Sequence, residues 1–156
     1  MSILFALVGG VLVLLILQDT FEAVVLPRRV SRPYRPTRLY YHLAWRACVA
    51  LGRRVSAGRL RNALLGAFGP FSLFGLFGVW AAGLIVGFGL LHHALAPSSR
   101  SIAESFYLSG ATFTTLGYGD VTPAGAAGRI LAILEALVGF GFLAVVVGFL
   151  PVFCAQ

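Results

Sequence analysis

Lysine is absent from this chain and acid is scarce: all twelve basic side chains are arginine, against five Asp and Glu. Charged residues fill 11% of the 156 positions and hydrophobic ones 59%, and the mean hydropathy is +0.92. Soluble domains carry about a quarter charged residues. The shortage excludes an ordinary water-soluble domain and leaves few polar groups for an enzyme site, so no catalysis is expected. Cysteine is scarce too. Cys48 and Cys154 lack metal-ligand spacing and fall in segments assigned below to the cytoplasmic side, where free thiols are the expectation.

Acid is missing altogether from residues 28–61, which hold ten of the twelve arginines. A formal charge of +7 suggests nucleic acid, but these arginines follow directly on an apolar run at 3–26. That run exceeds the roughly 20 residues needed to cross a bilayer core. Arginine beside a span marks the cytoplasmic side. The amino terminus is therefore expected outside and residues 28–62 inside, with anionic inner-leaflet lipid, not nucleic acid, as their partner. No basic residue precedes the apolar run, which argues against a signal peptide. Asp19 and Glu22 lie on one face of the run, with Arg28 and Arg29 as candidate partners or a local role near the headgroups.

Arg29, Arg32, Arg35 and Arg38 recur every third residue, as in voltage-sensing helices, but Pro33 and Pro36 break such a helix. At 39–54, Leu43, Ala47, Ala50 and Leu51 make an apolar stripe opposite His42, Arg46, Arg53 and Arg54, with Tyr40, Tyr41 and Trp45 suited to an interface. This predicts a helix lying on the inner leaflet. Gly52, Gly58 and Asn62 then break the run. Residues 64–96 form a second span, with a kink or late start at Pro70. Its glycines allow close helix packing. His92 and His93 close it, read as exposed interfacial imidazoles in preference to pH sensors.

After the external turn at 97–100, Ser101 and Glu104 have capping-box spacing, so a helix starts there and runs to about Phe113. Some twelve residues cannot cross a membrane. A short helix followed by a glycine-rich strand reads as a re-entrant loop. Gly117 and Gly119 flank Tyr118, which suits a backbone with its carbonyls on one side. A glycine-rich turn is the plainer alternative. Residues 125–128 form another turn, and 130–150 a third span containing one acid, Glu135, and ended by Pro151. Ala136, Phe140, Leu143 and Val147 share one face of it.

Thr114-Thr115-Leu116-Gly117-Tyr118-Gly119-Asp120 resembles the potassium-channel selectivity filter, with Leu116 in place of Val. The resemblance extends from Phe106-Tyr107-Leu108-Ser109 through Thr122-Pro123. Outer helix, pore helix, filter and inner helix follow the family's order over 64–150. The first helix, with Asp19-Thr20-Phe21-Glu22 and Leu26-Pro27-Arg28-Arg29, is similar to a group of bacterial ion-channel pore-domain proteins.

The resemblance implies an all-α membrane protein of three transmembrane helices plus a re-entrant pore helix and filter loop. Residues 1–27 would be the first helix, 28–62 the cytoplasmic arginine-rich segment and 63–156 the pore domain, in a bacterial inner membrane with the carboxyl terminus cytoplasmic. Carbonyls of Thr115, Leu116, Gly117 and Tyr118 would bind K⁺, with Gly119 completing the filter and the Thr115 hydroxyl forming the innermost ring. Thr114, Asp120 and Tyr107 would support it, Tyr118 packing on pore-helix aromatics such as Tyr107. The family often places a Glu behind the filter; here Ala111 stands there, so Asp120 needs another partner. Gly139 and Gly141 fall where the family has a hinge, close packing being the alternative. Ala136, Phe140, Leu143 and Val147 would line the pore. Glu135 would bond the pore helix or concentrate cations, the structural role being favoured. One filter strand makes a quarter of a pore, so a homotetramer follows. The expected function is passive K⁺ conduction. A nonselective cation channel, a K⁺ uptake transporter subunit and a non-conducting scaffold are the rivals.

Overall fold

The computed structural model describes residues 2–25, 37, 40–42, 44–46, 49, 59–96 and 100–154, with side-chain surroundings for 2–23, the isolated positions from 37 to 49, 71–96 and 100–148. Among the described residues the long elements are α1 (Ser2–Val25), α2 (Arg59–Leu95), α3 (Ile102–Phe113) and α4 (Gly125–Cys154). Three stretches are long and apolar enough to cross a membrane: Ser2–Ala23, Phe71–Leu95 and Gly125–Gly148. In hydrocarbon a backbone has no water to bond, so apolar runs of this length close their own hydrogen bonds as helix.

The same pressure overrides several stop signals. α2 begins at Arg59 and runs unbroken through Asn62 and Pro70, so neither the expected break at Asn62 nor a late start at Pro70 occurs. α4 begins at Gly125, not after a turn, because the Gly128 N–H bonds the Ala124 carbonyl at 3.1 Å and closes the first helical turn. It also passes Pro151 to reach Cys154. Proline's fixed φ is itself helical, so the passage costs the one N–H bond that Pro151 lacks and some crowding of the preceding turn. The described residues between 37 and 49 are helical. Arg29, Arg32, Arg35 and Arg38, with much of the expected 39–54 helix, lie outside the described residues.

α1 lies along α2 at backbone contact. A Cβ on Gly9 would sit 2.7 Å from the Gly87 carbonyl oxygen, and one on Gly87 3.2 Å from the Gly9 carbonyl. Small residues let membrane helices approach this closely. Val13 and Ile16 of α1 and Leu76, Phe77, Trp80, Leu84 and Phe88 of α2 form one buried cluster, which reaches Phe113 at the end of α3. Phe142 of α4 packs edge-on to Phe77 and tilted against Phe113, centroids 6.1 and 5.8 Å apart. The cluster holds the end of α3 at a fixed depth between the longer helices.

Asp19 is buried where α1, α2 and the segment beginning at Thr37 meet. It accepts from Trp80 Nε1 at 2.9 Å and from the Thr37 amide at 3.3 Å, and the Thr37 hydroxyl also donates to it. A mid-span Trp carries one donor that needs a partner, and this acid supplies it. Arg28 and Arg29, the expected partners, lie outside the described residues.

Candidate functional site

The expected capping box is present at the start of α3. Ser101 Oγ accepts from the Glu104 amide at 3.1 Å, and the Ser101 amide donates to Glu104 Oε2 at 3.0 Å. α3 ends after twelve residues, at Phe113. The loop beyond it folds back on the last turn. Thr114 N–H bonds Gly110 O at 3.1 Å, Thr115 N–H bonds Thr112 O at 3.1 Å, and Leu116 and Gly117 N–H both reach Ala111 O, at 2.8 and 3.2 Å.

These bonds orient the carbonyls. In a trans peptide, C=O points opposite to the N–H of the next residue. With the amides of Leu116 and Gly117 aimed at α3, the carbonyls of Thr115 and Leu116 point away from it. Backbone handedness continues the pattern. Thr115, Gly117 and Gly119 take positive φ (58°, 55° and 78°), while Leu116 and Tyr118 between them do not. The sign of φ thus alternates from Thr115 to Gly119. Glycine adopts positive φ freely. Thr115 is β-branched and does so at a cost of about 1–3 kcal/mol, of the kind held at functional sites.

Tyr107 OH donates to Asp120 Oδ1 at 3.1 Å, which answers the question raised by Ala111: the acid is held by a phenol from the middle of α3. This bond, first, and then burial and the negative charge of Asp120 push the Tyr107 phenol above its ordinary pKa. Arg100 Nη2 donates to the Thr122 carbonyl at 2.7 Å beyond it. Tyr118 is 72% exposed on the single chain, and it lies near enough to Tyr107 to add to the upward push on that phenol. The Thr115 hydroxyl donates to Thr114 O at 2.7 Å, and the Thr114 hydroxyl to Gly110 O at 2.7 Å.

Behind α3 lies a second polar cluster. Glu135 of α4 is wholly buried and His92 of α2 is 2% exposed. His92 Nε2 lies 2.9 Å from Glu135 Oε2, and Ser109 of α3 donates to Glu135 Oε1. The Ser109 oxygen is also 2.8 Å from the Ile85 carbonyl. Glu135 therefore bonds α3, as the favoured reading had it. His92 is not the exposed imidazole expected: it is the partner that an acid within a span requires. His93, on a different face, contacts Ser105 Oγ at 3.3 Å and the edge of Phe5. The signal was Glu135 itself, since His92 and His93 are the ionisable side chains that the sequence offers it in the neighbouring span Phe71–Leu95.

The expected hinge glycines differ from each other. A Cβ on Gly139 would collide with the Phe113 carbonyl, whereas one on Gly141 would meet nothing within 4 Å. Close packing accounts for Gly139. Of the expected lining residues, Phe140, Leu143 and Val147 are exposed on the single chain and Ala136 is half-buried.

Three apolar spans and a short helix, followed by a loop whose Thr115 and Leu116 carbonyls point away from it, make up an all-α membrane channel. The chain belongs to the ion-channel family, whose model, described as "Ion channel", matches residues 71–156, more than half of it. It is 40% identical over 84 residues to Protein LctB of Geobacillus stearothermophilus, covering 44% of this chain and 62% of LctB. It is 40% identical over 48 residues to Two pore potassium channel c of Oryza sativa subsp. japonica, covering 31% of this chain and 10% of that one. With Two-pore potassium channel 3 of Arabidopsis thaliana it shares 33% identity over 51 residues, 33% of this chain and 12% of the relative. The chain thus spans less than two thirds of the curated relatives it matches. No solved structure matches it.

Proposed function

We propose that the chain is one subunit of a K⁺-selective channel, in which four copies surround an axis and conduct passively. The observation that carries this reading is the pair of amides at Leu116 and Gly117 bound back to the Ala111 carbonyl, which turns the carbonyls of Thr115 and Leu116 away from α3. With those of Gly117 and Tyr118, and with Gly119 closing the strand, they would form rings that replace the water shell of K⁺. A single strand contributes a quarter of each ring, hence a homotetramer. Thr114, Tyr107 and Asp120 support the strand from the side. The carboxyl end of α3 carries the negative end of its dipole and favours a cation below the filter.

In this reading Ala136, Phe140, Leu143 and Val147 line the path, and any bending of the inner helix centres on Gly139 or Gly141. The arginines of 28–61 lie on the cytoplasmic side of a bacterial inner membrane, against anionic lipid, with the amino terminus outside. The names of the plant relatives support K⁺ as the conducted ion. A nonselective cation channel is the alternative, since sequence and backbone pattern do not by themselves set the filter radius; a K⁺ uptake transporter subunit is less favoured because one intact loop occurs in the chain. The test is flux in liposomes under K⁺ and Na⁺ gradients. K⁺ flux that exceeds Na⁺ flux and disappears in Gly117→Ala is expected; equal flux of both ions would favour the alternative, and a Gly117→Ala variant conducting like the parent would end the channel reading.

A further inference from the structure

A groove of about 430 Å³ opens between α1, α2 and α4, lined by Thr20 and Phe21 of α1, Leu84 of α2, and Val138, Gly141 and Val145 of α4. Its volume is in the range that holds a small organic ligand. Its chemistry is almost wholly apolar. The polar atom of Thr20 is already committed, its hydroxyl donating to the Ile16 carbonyl at 2.8 Å. Nothing lies within 4 Å of a Cβ placed on Gly141, so the groove reaches the α4 backbone there. An apolar cavity of this kind does not hold water, and all three of its walls are spans. Hydrocarbon is the filling that such walls accept.

Helical geometry says which way the groove faces. At about 100° per residue, Val138, Gly141 and Val145 lie about 140–200° around α4 from Ala136, while Phe140, Leu143 and Val147 lie within about 40° of it. If the Ala136 face lines the path, the groove is on the opposite flank, toward the bilayer. Its α1 wall is also close to charge along the sequence. Phe21 is four residues from Val25, the last residue of α1, or about 6 Å along the axis. The sequence from 28 to 61 then brings ten arginines and no acid. The two acids near that end are engaged: Asp19 by Trp80 and Thr37, and Glu22 by Gln18 at 3.1 Å.

We propose that this groove is a specific binding site for one acyl chain of an anionic phospholipid, with the phosphate at the end of α1 from which the arginine-rich sequence departs. The inference deepens the lipid partnership of the proposed function and rests on its assignment of the path-lining face.

The test reconstitutes the full chain in vesicles carrying a photoactivatable acyl chain on either phosphatidylglycerol or phosphatidylcholine, and maps adducts by mass spectrometry. Adducts at 17–21 and 138–145 are expected to be roughly fivefold or more in favour of phosphatidylglycerol, the factor carried by one arginine near the surface. Thr20→Trp, and separately Val145→Trp from the facing helix, should remove those adducts while leaving those at Ile3 and Leu4, which are exposed on α1. Equal labelling by both lipids means bulk lipid only and overturns the proposal. So does labelling that survives both substitutions, or an unlabelled groove, which would indicate cover by a neighbouring copy. Labelling requires no ion flow, and K⁺ flux is measured in the same vesicles. Lost lipid preference with intact K⁺ flux defeats this site alone; intact preference without K⁺ flux defeats the channel reading alone.

Discussion

Glu135 and His92 meet at 2.9 Å in the interior, tying α4 to α2. Ser109 closes the cluster, so α2, α3 and α4 share one set of polar contacts directly behind the loop at 114–120. In hydrocarbon such groups have no water to fall back on. The cluster fixes α3 laterally, and α3 presents the Ala111 carbonyl to the loop.

Glu135→Leu leaves His92 without this partner, at about 1–3 kcal/mol for a buried group left unpaired, while Ser109 keeps the Ile85 carbonyl. The variant is expected to melt at lower temperature in detergent. Glu135→Gln should be mild, since its carbonyl accepts from Ser109 and His92 can change tautomer to accept from its amide. Thermal melts of the purified chain compare the two. Equal losses would mean that the charge, not the hydrogen-bonding shape, matters at this position.

Much of this arrangement was legible in the sequence, but only where the signal was local. Ser101 and Glu104 cap α3 because both halves of the box are three residues apart. The alternation of Gly117 and Gly119 around Tyr118 anticipates the alternating backbone. The partners of Glu135 are 26 and 43 residues away, and no spacing rule reaches that far. His92 looked like a surface residue because it ends a span; burial came from α4 packing over it. Asn62, Pro70 and Pro151 were read with the stop signals of soluble helices, which weigh less where a helix end exposes backbone to lipid.

Tyr107→Phe removes the side-chain donor to Asp120. If 115–119 is the proposed K⁺ filter, partial, severalfold loss of K⁺ flux is expected, larger at low K⁺, where fewer bound ions would support it. The pH dependence has a definite sign. A phenol whose pKa is raised in the folded state contributes stability that is fully present below its unfolded value, near 10, and lost as pH rises through the higher folded value. Flux should therefore be insensitive to this group up to about pH 10 and fall above it, and the alkaline step should be missing in Tyr107→Phe. An identical step in both proteins would assign it elsewhere.

Trp80→Phe takes one donor from the buried Asp19 while preserving most of the packing. Hydrogen bonds between membrane helices contribute about 1 kcal/mol. The substitution should loosen α1 and Thr37 together, since both are tied at that carboxylate. Limited proteolysis within 28–61 should become faster in Trp80→Phe, and faster still in Asp19→Ala. Unchanged cleavage in both would show that apolar packing, at Gly9–Gly87 and around Val13 and Ile16, holds α1 without the Asp19 bonds.

Gly139→Ala and Gly141→Ala separate packing from bending. A methyl group at 139 must displace the Phe113 carbonyl or the α4 backbone, and overpacking of this kind costs about 1–3 kcal/mol. At 141 the same group enters open space within the chain. Packing therefore predicts a lowered melting temperature for Gly139→Ala and little change for Gly141→Ala. Bending predicts a different readout. Alanine stiffens a helix at either position, so both variants would alter single-channel open probability without a matching change in melting. If only Gly139→Ala changes, and does so in both measurements, its glycine is kept for contact with α3 and the inner helix bends elsewhere. A Gly141→Ala variant with normal melting and altered opening would instead place the bend one turn or less beyond that contact, where α4 is free of its own chain.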